Sequence, residues 1–80
     1  MNTDLQRHED ALVSIAIPTM NRRHDLPTSI NSVLNQDYYN IELIISDNGS
    51  TDDTPEFCRD LAAKDPRVKY IRHEENLGLI

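Results

Sequence analysis

The sequence predicts an α/β domain whose strands and helices alternate in the order β-α-β-α-β around a parallel sheet. Three short apolar runs, typical of strands, are separated by two segments whose apolar residues recur at helical spacing. Each intervening segment is long enough for the crossover that two parallel strands require. We therefore expect the sheet order 3-2-1, which is one half of a doubly wound fold.

The first strand is predicted at residues 12–17, a nearly continuous apolar run that ends at Pro18. Such a run is typical of a strand that is buried on both faces. The first helix is predicted to begin after Asp25, a residue type common at N-caps, and to end near Gln36. Pro27 falls in the first helical turn, where proline is tolerated.

The second half of the chain predicts a strand at 41–46, a helix and a third strand at 68–72. Residues 47–54 are dense in turn-forming and capping residue types, so they predict the loop before the second helix. That helix should end before Pro66, because proline disfavours helical backbone at the residue before it. Apolar and polar residues partly alternate in the third strand, which indicates a solvent-exposed face or a sheet edge.

The order 3-2-1 leaves the first strand at an open edge, although it is the most apolar of the three. We therefore expect residues 12–80 to be the N-terminal half of a larger, truncated α/β domain. Residues 1–11 are polar and without periodicity, which predicts a mobile tail. The open edge of the first strand also predicts self-association.

Composition excludes several function classes. Eight basic against fourteen acidic residues give a net charge of −6, so the chain has no basic excess for binding nucleic acid. No apolar run approaches the roughly 18 residues that a transmembrane helix needs. A single cysteine, Cys58, cannot form an internal disulfide, which fits a reducing compartment. We expect a cytoplasmic location, with the inner face of a membrane as the alternative for the complete protein.

Ligands of open α/β sheets bind beyond the carboxyl ends of the strands, where the strand order reverses. In this chain that point is the first strand, so the candidate site combines the loops at 18–22 and 47–51. Neither loop carries a glycine-rich phosphate-binding motif. A nucleotide would therefore be held by side chains, and the Asp47 carboxylate suits the N–H groups of a base or the hydroxyls of a ribose.

Several conspicuous residues have simpler interpretations. Asp52 and Asp53 could suggest a metal site, but acidic residues before a helix more often cap it and favour its dipole. Cys58 falls on the apolar face of the second helix, which favours buried packing over reactivity. Gly49 is interpreted as a backbone requirement. Arg22 and Arg23 could contact a diphosphate, but a solvated loop is the favoured interpretation. The histidines have no metal-ligand spacing and are interpreted as surface residues, namely His8, His24 and His73.

Four sequence blocks occur in a familiar order, at residues 13–22, 26–36, 42–52 and 67–78. The second ends in Ser32-Val33-Leu34-Asn35-Gln36, and the third contains Ser46-Asp47-Asn48-Gly49-Ser50-Thr51-Asp52. Together they resemble the start of the family 2 glycosyltransferases, enzymes of the Rossmann-like GT-A fold that use nucleotide-diphospho-sugars. The resemblance covers residues 13–80.

The resemblance implies a set of nucleotide-binding residues, namely Pro18, Thr19, Met20, Asn21, Asp47 and Asn48. Met20 stands where the family often has an aromatic residue, and Asn48 stands at a second acidic position, so the donor nucleotide is left open. The resemblance implies an inverting transferase with a divalent metal, Mg or Mn, in the complete enzyme. The family's metal ligands and catalytic base come later in the chain, so residues 1–80 carry no catalytic residue.

Two functions from different classes remain open from the sequence. The first is the nucleotide half of a glycosyltransferase that transfers a sugar to an unknown acceptor, in which case the 80-residue chain alone is inactive. The alternative is a non-catalytic nucleotide-binding or interaction module, or a truncated reading frame without function. The coding sequence beyond Ile80 distinguishes them, because the first function requires an in-frame acidic D-x-D motif.

Overall fold

A computed structural model of the chain describes residues 11–38 and 40–74. It contains β1 (Val13–Thr19), α1 (Leu26–Leu34), β2 (Ile41–Asp47), α2 (Thr54–Lys64) and β3 (Val68–Arg72). All strand pairs are parallel, and β2 lies between β1 and β3. The predicted α/β class, the β-α-β-α-β order and the sheet order 3-2-1 are confirmed. The predicted mobile tail lies outside the described residues except for Ala11.

One face of the sheet carries the hydrophobic core. The strand register places Ile17 opposite Ile45 and Ile45 opposite Tyr70, so their side chains share this face. Both helices pack on it, because residues from α1, α2 and the sheet form a single buried cluster. The buried members are Leu26, Ile30, Leu43, Ile45, Cys58 and Val68. Within the described residues, the opposite face has no helix against it.

Strand β1 continues through Pro18 to Thr19, so the prediction that it ends at Pro18 is wrong. The Val13 N–H donates to the Asn40 carbonyl oxygen, and the Thr19 carbonyl oxygen accepts from the Asn48 N–H. Main-chain polar groups alternate along a strand, so those of Pro18 point to the open side. Because the backbone of Pro18 faces away from β2, its missing N–H costs no hydrogen bond to that strand. Proline is tolerated in edge strands at positions of this kind.

The expectation that β1 is buried on both faces is wrong for the described residues. Its side chains are exposed or half-buried until the buried Thr19 at the end. Leu12 is 59% exposed and Val13 is 42% exposed. The physical reason is that α1 and α2 cover the same face, while the far edge of β1 pairs with no strand in the described part of the chain.

Helix α1 ends at Leu34, two residues before the predicted end, with Asn35 as its C-cap. Asp25 occupies the N-cap position but makes no side-chain capping bond. Its carboxylate instead pairs with the Arg22 guanidinium at 3.2 Å. The predictions for α2 and β3 are confirmed, since α2 ends before Pro66 and β3 spans the predicted residues.

Candidate functional site

The loops that follow β1 and β2 lie side by side at the carboxyl edge of the sheet and are hydrogen-bonded to each other. The Asn48 N–H donates to the Thr19 carbonyl oxygen at 2.9 Å. The Asn21 N–H donates to the Ser50 hydroxyl, also at 2.9 Å. The structure therefore brings the two predicted segments together as one surface. Gly49 adopts a φ of 84°, which confirms its interpretation as a backbone requirement.

Asn21 holds the second loop through its side chain. Its backbone lies in the left-handed region, with a φ of 52°, which asparagine tolerates better than most residues. Its Oδ1 accepts hydrogen bonds from the Thr51 N–H at 2.7 Å and the Asp52 N–H at 3.2 Å. The Asn21 amide oxygen is thus engaged within the chain, and the residue acts as a link between the loops.

Asp47, the last residue of β2, is completely buried. Its Oδ1 accepts from the Ser50 N–H at 2.9 Å. Its Oδ2 accepts from the Tyr70 hydroxyl at 2.5 Å and lies 3.4 Å from Nη1 of Arg72. Because the Asp47 side chain is not exposed, a direct hydrogen bond from a nucleotide to its carboxylate requires the surrounding residues to move, and that contact stays a prediction.

Tyr70 is held as a hydrogen-bond donor by its surroundings. Burial, together with its bond to the Asp47 carboxylate, raises the pKa of Tyr70 to about 12. The phenol is therefore protonated throughout the physiological range. Tyr70 consequently stays the donor of its hydrogen bond to Asp47 in this range.

The six predicted site residues fall into two groups by exposure. Thr19 and Asp47 are paired in the sheet register on the helix-covered face, and both are buried. The Thr19 hydroxyl has no hydrogen-bond partner within the described residues. Pro18 is exposed on the opposite face and Met20 is half-buried. Asn48 is 2% exposed, whereas Asn21 is exposed, so Pro18, Met20 and Asn21 offer the accessible side-chain surface of the six residues.

The charged residues of the two loops are largely paired with one another. The Arg23 guanidinium stacks on the Phe57 ring at 4.0 Å, and its Nε lies 3.6 Å from Oδ2 of Asp53. Asp52 accepts from the Thr54 N–H at 2.9 Å, so its interpretation as a capping residue is confirmed. Asp53 occupies the N-cap position of α2, so its carboxylate lies at the positive end of the helix dipole, but it makes no side-chain capping bond.

The described residues contain no group of three or more His, Cys, Asp or Glu side chains able to hold a metal ion. Asp52 and Asp53, the pair that could suggest such a site, are engaged by a backbone N–H and by Arg23.

Sequence reasoning missed Tyr70 and Arg72 as members of this edge, and it included Ser50 in the second loop without assigning it a role. The Arg72 Nη1 donates to the Ser50 carbonyl oxygen at 2.9 Å. The alternation of β3 places Tyr70 and Arg72 on one face, but no local signal indicates that this face meets Asp47. His73, expected at the surface, is half-buried, with Nε2 3.4 Å from the Ser46 hydroxyl.

Comparison with known proteins gives a consistent result. The model of the family described as Glycosyl transferase family 2 matches residues 14–80. A GalNAc(5)-diNAcBac-PP-undecaprenol beta-1,3-glucosyltransferase of Campylobacter jejuni is 39% identical over 62 residues, which cover 78% of this chain. The Escherichia coli UDP-Glc:alpha-D-GlcNAc-diphosphoundecaprenol beta-1,3-glucosyltransferase WfgD is 41% identical over 70 residues, or 88% of this chain.

Among solved structures, the mannosyltransferase PcManGT of Pyrobaculum calidifontis, in complex with GDP-Man and Mn²⁺, resembles this chain with a TM-score of 0.72. The two are 27% identical, and the match covers 82% of this chain and 20% of the mannosyltransferase. The chain likewise spans 20% of the Campylobacter relative and 27% of the Escherichia one. Neither helix in the described part of the chain has the length and apolarity that crossing a bilayer requires.

Proposed function

The chain belongs to glycosyltransferase family 2, and we propose that its carboxyl-edge loops bind the nucleotide of a nucleotide-diphospho-sugar donor. The observation that carries this proposal is the hydrogen-bonded unit formed by the loops after β1 and β2. In the whole protein, the proposed reaction is displacement at the anomeric carbon, with inversion, by an acceptor hydroxyl. The residues of these loops take part in donor binding and not in the chemical step.

The proposed site divides the six predicted residues by role. Pro18, Met20 and Asn21 contact the nucleotide from the end of the sheet, and the buried Asn48 reaches its base from below. Thr19 and Asp47 lie beneath the site, and the Asn21 and Asp47 side chains keep its loops in place. The support is that the Asn21 and Asp47 side chains already bind the chain's own donors.

The base preference of the site is proposed to depend on Met20 and Asn48. Methionine offers a polarizable apolar surface on which a base can pack, in place of an aromatic ring. The Asn48 amide can both donate and accept, so it can pair with more than one base edge. The relatives differ in their nucleotides too, since WfgD is named for UDP-Glc and PcManGT is in complex with GDP-Man. Both UDP and GDP are therefore test ligands.

A divalent metal, Mg or Mn, is proposed for the whole protein, because the mannosyltransferase structure is a complex with Mn²⁺. The described residues do not supply its ligands, so no step of the reaction is assigned through the metal. Two relatives are named for acceptors linked to undecaprenyl diphosphate. On that basis we propose a cytoplasmic location at the inner face of a membrane.

The open edge of β1 is proposed to pair with a second copy of the chain. The support is the unpaired backbone of this edge within the described residues, beside the exposed side chains of Leu12 and Val13. Such pairing would add main-chain hydrogen bonds and cover apolar surface without any change in the core.

The test of nucleotide binding is an NMR titration of the chain with UDP and GDP, with ribose 5-phosphate as the control ligand. We expect the largest amide shifts at residues 19–21 and 47–51 for at least one nucleotide. Ribose 5-phosphate, which has no base, should produce smaller shifts at Met20 and Asn48. The proposal fails if neither nucleotide shifts these amides, or if the shifts lie along the groove lined by Arg59, Ala62 and Ile71.

A further inference from the structure

Ser50 is a junction at which the ends of all three strands meet. Its N–H donates to Asp47 at the end of β2. Its hydroxyl accepts from the N–H of Asn21, which follows β1. Its carbonyl oxygen accepts from Arg72 at the end of β3. Ser50 is 1% exposed, so these bonds are shielded from water.

We propose that Ser50 and Arg72 are positioning residues of the nucleotide site. They hold the β1 loop in its binding conformation through a chain of hydrogen bonds from β3 to Asn21. This inference rests on the proposed function, and it assigns to β3 a role in binding although no residue of β3 belongs to the predicted site.

The Arg72 side chain is well placed for this role. Its Nη1 donates to the Ser50 carbonyl oxygen and lies 3.4 Å from the buried Asp47 carboxylate. Its Nε donates to Glu74 at 3.2 Å, which fixes the guanidinium from the outer side. A hydrogen bond from a charged donor is stronger than one between neutral groups. Arg72 therefore fixes the peptide of Ser50 from one side.

The Ser50 hydroxyl connects this fixed peptide to the β1 loop. The Asn21 N–H binds the Ser50 hydroxyl, while the Asn21 side chain accepts from Thr51 and Asp52. Asn21 is in the left-handed backbone region, which it would leave readily without these bonds. Loss of the Ser50 hydroxyl should therefore loosen the segment from Pro18 to Asn21.

The junction is also separate from the apolar core that stabilises the domain. Its bonds lie at the carboxyl edge, while the core cluster is formed by the helices and the middle of the sheet. Loops held mainly by hydrogen bonds can open locally without global unfolding. A change at Ser50 can therefore alter nucleotide affinity in a chain that is still folded.

The experiment compares Ser50→Ala with Ser14→Ala. Both changes remove one hydroxyl, but Ser14 bonds Glu42 at the opposite end of the sheet, at 2.8 Å. For the tighter-binding of UDP and GDP, we expect Ser50→Ala to raise the Kd about three- to tenfold, the effect of one lost hydrogen bond. Ser14→Ala should leave the Kd unchanged. Amide exchange at Asn21 should become faster only in Ser50→Ala.

A second set of variants tests the role of Arg72 in nucleotide binding. Arg72→Gln should raise the Kd by at least the same factor, and Arg72→Lys, which keeps a charged donor, should recover part of the loss. Arg67→Gln is the control, because Arg67 bonds Asp65 and Leu34 at the other end of β3. All Kd values are measured by NMR under conditions in which each variant is folded. Urea and thermal denaturation of each variant establish those conditions. If Arg72→Gln does not fold, the Ser50 pair decides.

The outcomes separate the inference from the function on which it rests. If the wild-type chain binds neither UDP nor GDP, the proposed function fails and the inference fails with it. If the wild-type chain binds but Ser50→Ala binds equally well, only the inference is overturned. Equal losses in Ser50→Ala and Ser14→Ala would also overturn it, because they would indicate a general effect of stability.

Discussion

Asp47 illustrates at the scale of one residue how a charged group is accommodated without solvent. Its carboxylate is completely buried and is bound by the Ser50 N–H, the Tyr70 hydroxyl and Arg72. A buried charge is tolerated only when it is paired and hydrogen-bonded, and removing one partner leaves the others unsatisfied. Asp47 therefore links local stability to the geometry of the proposed site.

We predict that Asp47→Asn lowers the free energy of unfolding by about 2–4 kcal/mol, because Arg72 loses its buried counter-charge and one oxygen acceptor disappears. Asp53→Asn is the matched control, since the Asp53 side chain is 68% exposed and its ion pair with Arg23 is long. The control should change the free energy by less than about 1 kcal/mol. Urea denaturation measures both, and equal losses would contradict the prediction.

Cys58 is the second residue whose behaviour follows from burial. Its side chain is fully buried against the core, which confirms its interpretation as a packing residue. Burial, with a smaller contribution from the Asp47 charge, raises the pKa of the Cys58 thiol to about 11. The reactive thiolate is consequently scarce at neutral pH.

We predict that a thiol reagent at pH 8 modifies Cys58 at least about tenfold more slowly in the folded chain than in urea, because burial raises the pKa of the thiol to about 11 and leaves less thiolate. Burial should slow the folded reaction further. Because the chain has one cysteine, the rate reports a single site. The same rate with and without urea would show that α2 does not cover the thiol.

At the scale of the elements, the turn from α2 to β3 is tied to the end of α1. Asp65 accepts from the Arg67 N–H at 3.0 Å and from its guanidinium at 2.8 and 3.1 Å. The Arg67 Nη1 also donates to the Leu34 carbonyl oxygen at 3.3 Å. One ion pair thus closes the turn and satisfies a carbonyl at the end of a helix.

The pH dependence of this turn has a definite sign. Hydrogen bonds from the Arg67 guanidinium hold the pKa of Asp65 below its ordinary value of 3.8. The ionised form is thus favoured by folding, so the stabilisation is complete above about pH 5 and is lost as the pH falls through the lowered pKa. We predict that Asp65→Asn lowers the free energy of unfolding by about 1–2 kcal/mol at pH 7.

The difference between wild type and Asp65→Asn should shrink when urea denaturation is repeated at pH 3. Asp60→Asn is the control, because Asp60 forms an exposed i,i+4 pair with Lys64 at 2.9 Å. That pair should contribute less than about 1 kcal/mol at either pH. A difference for Asp65→Asn that stays constant between pH 7 and pH 3 would refute the assignment.

At the scale of the whole molecule, β1 combines an open backbone edge with exposed apolar side chains. The net charge of −6 opposes contact between copies, and added salt screens this repulsion. The proposed self-association should therefore strengthen with both protein concentration and ionic strength.

The main-chain groups of β1 alternate between its two edges. Those of Ala16 face the open side, like those of Pro18, whereas those of Ile15 face β2.

We predict that light scattering shows a mass that rises with concentration, and that Ala16→Pro reduces the rise because it removes an edge donor. The same variant should remain folded, as no bond to β2 is lost. Ile15→Pro, the control, should destabilise the fold by about 1–3 kcal/mol, because it removes a backbone donor to β2 and leaves the acceptor unpaired. A wild-type mass that stays monomeric at all concentrations and salt levels would exclude pairing through this edge.

The sequence by itself determined the types and order of the elements, because the apolar periodicity of a strand or helix is a local property. β3 was predicted residue for residue, and the loops of the candidate site were placed from the strand ends alone. Tertiary structure decided which groups those loops bind. Two of the three partners of Asp47, Tyr70 and Arg72, come from β3, 23 and 25 residues later, and only the strand register brings them together. The same holds for Pro18, whose place inside β1 depends on which side of that strand β2 occupies.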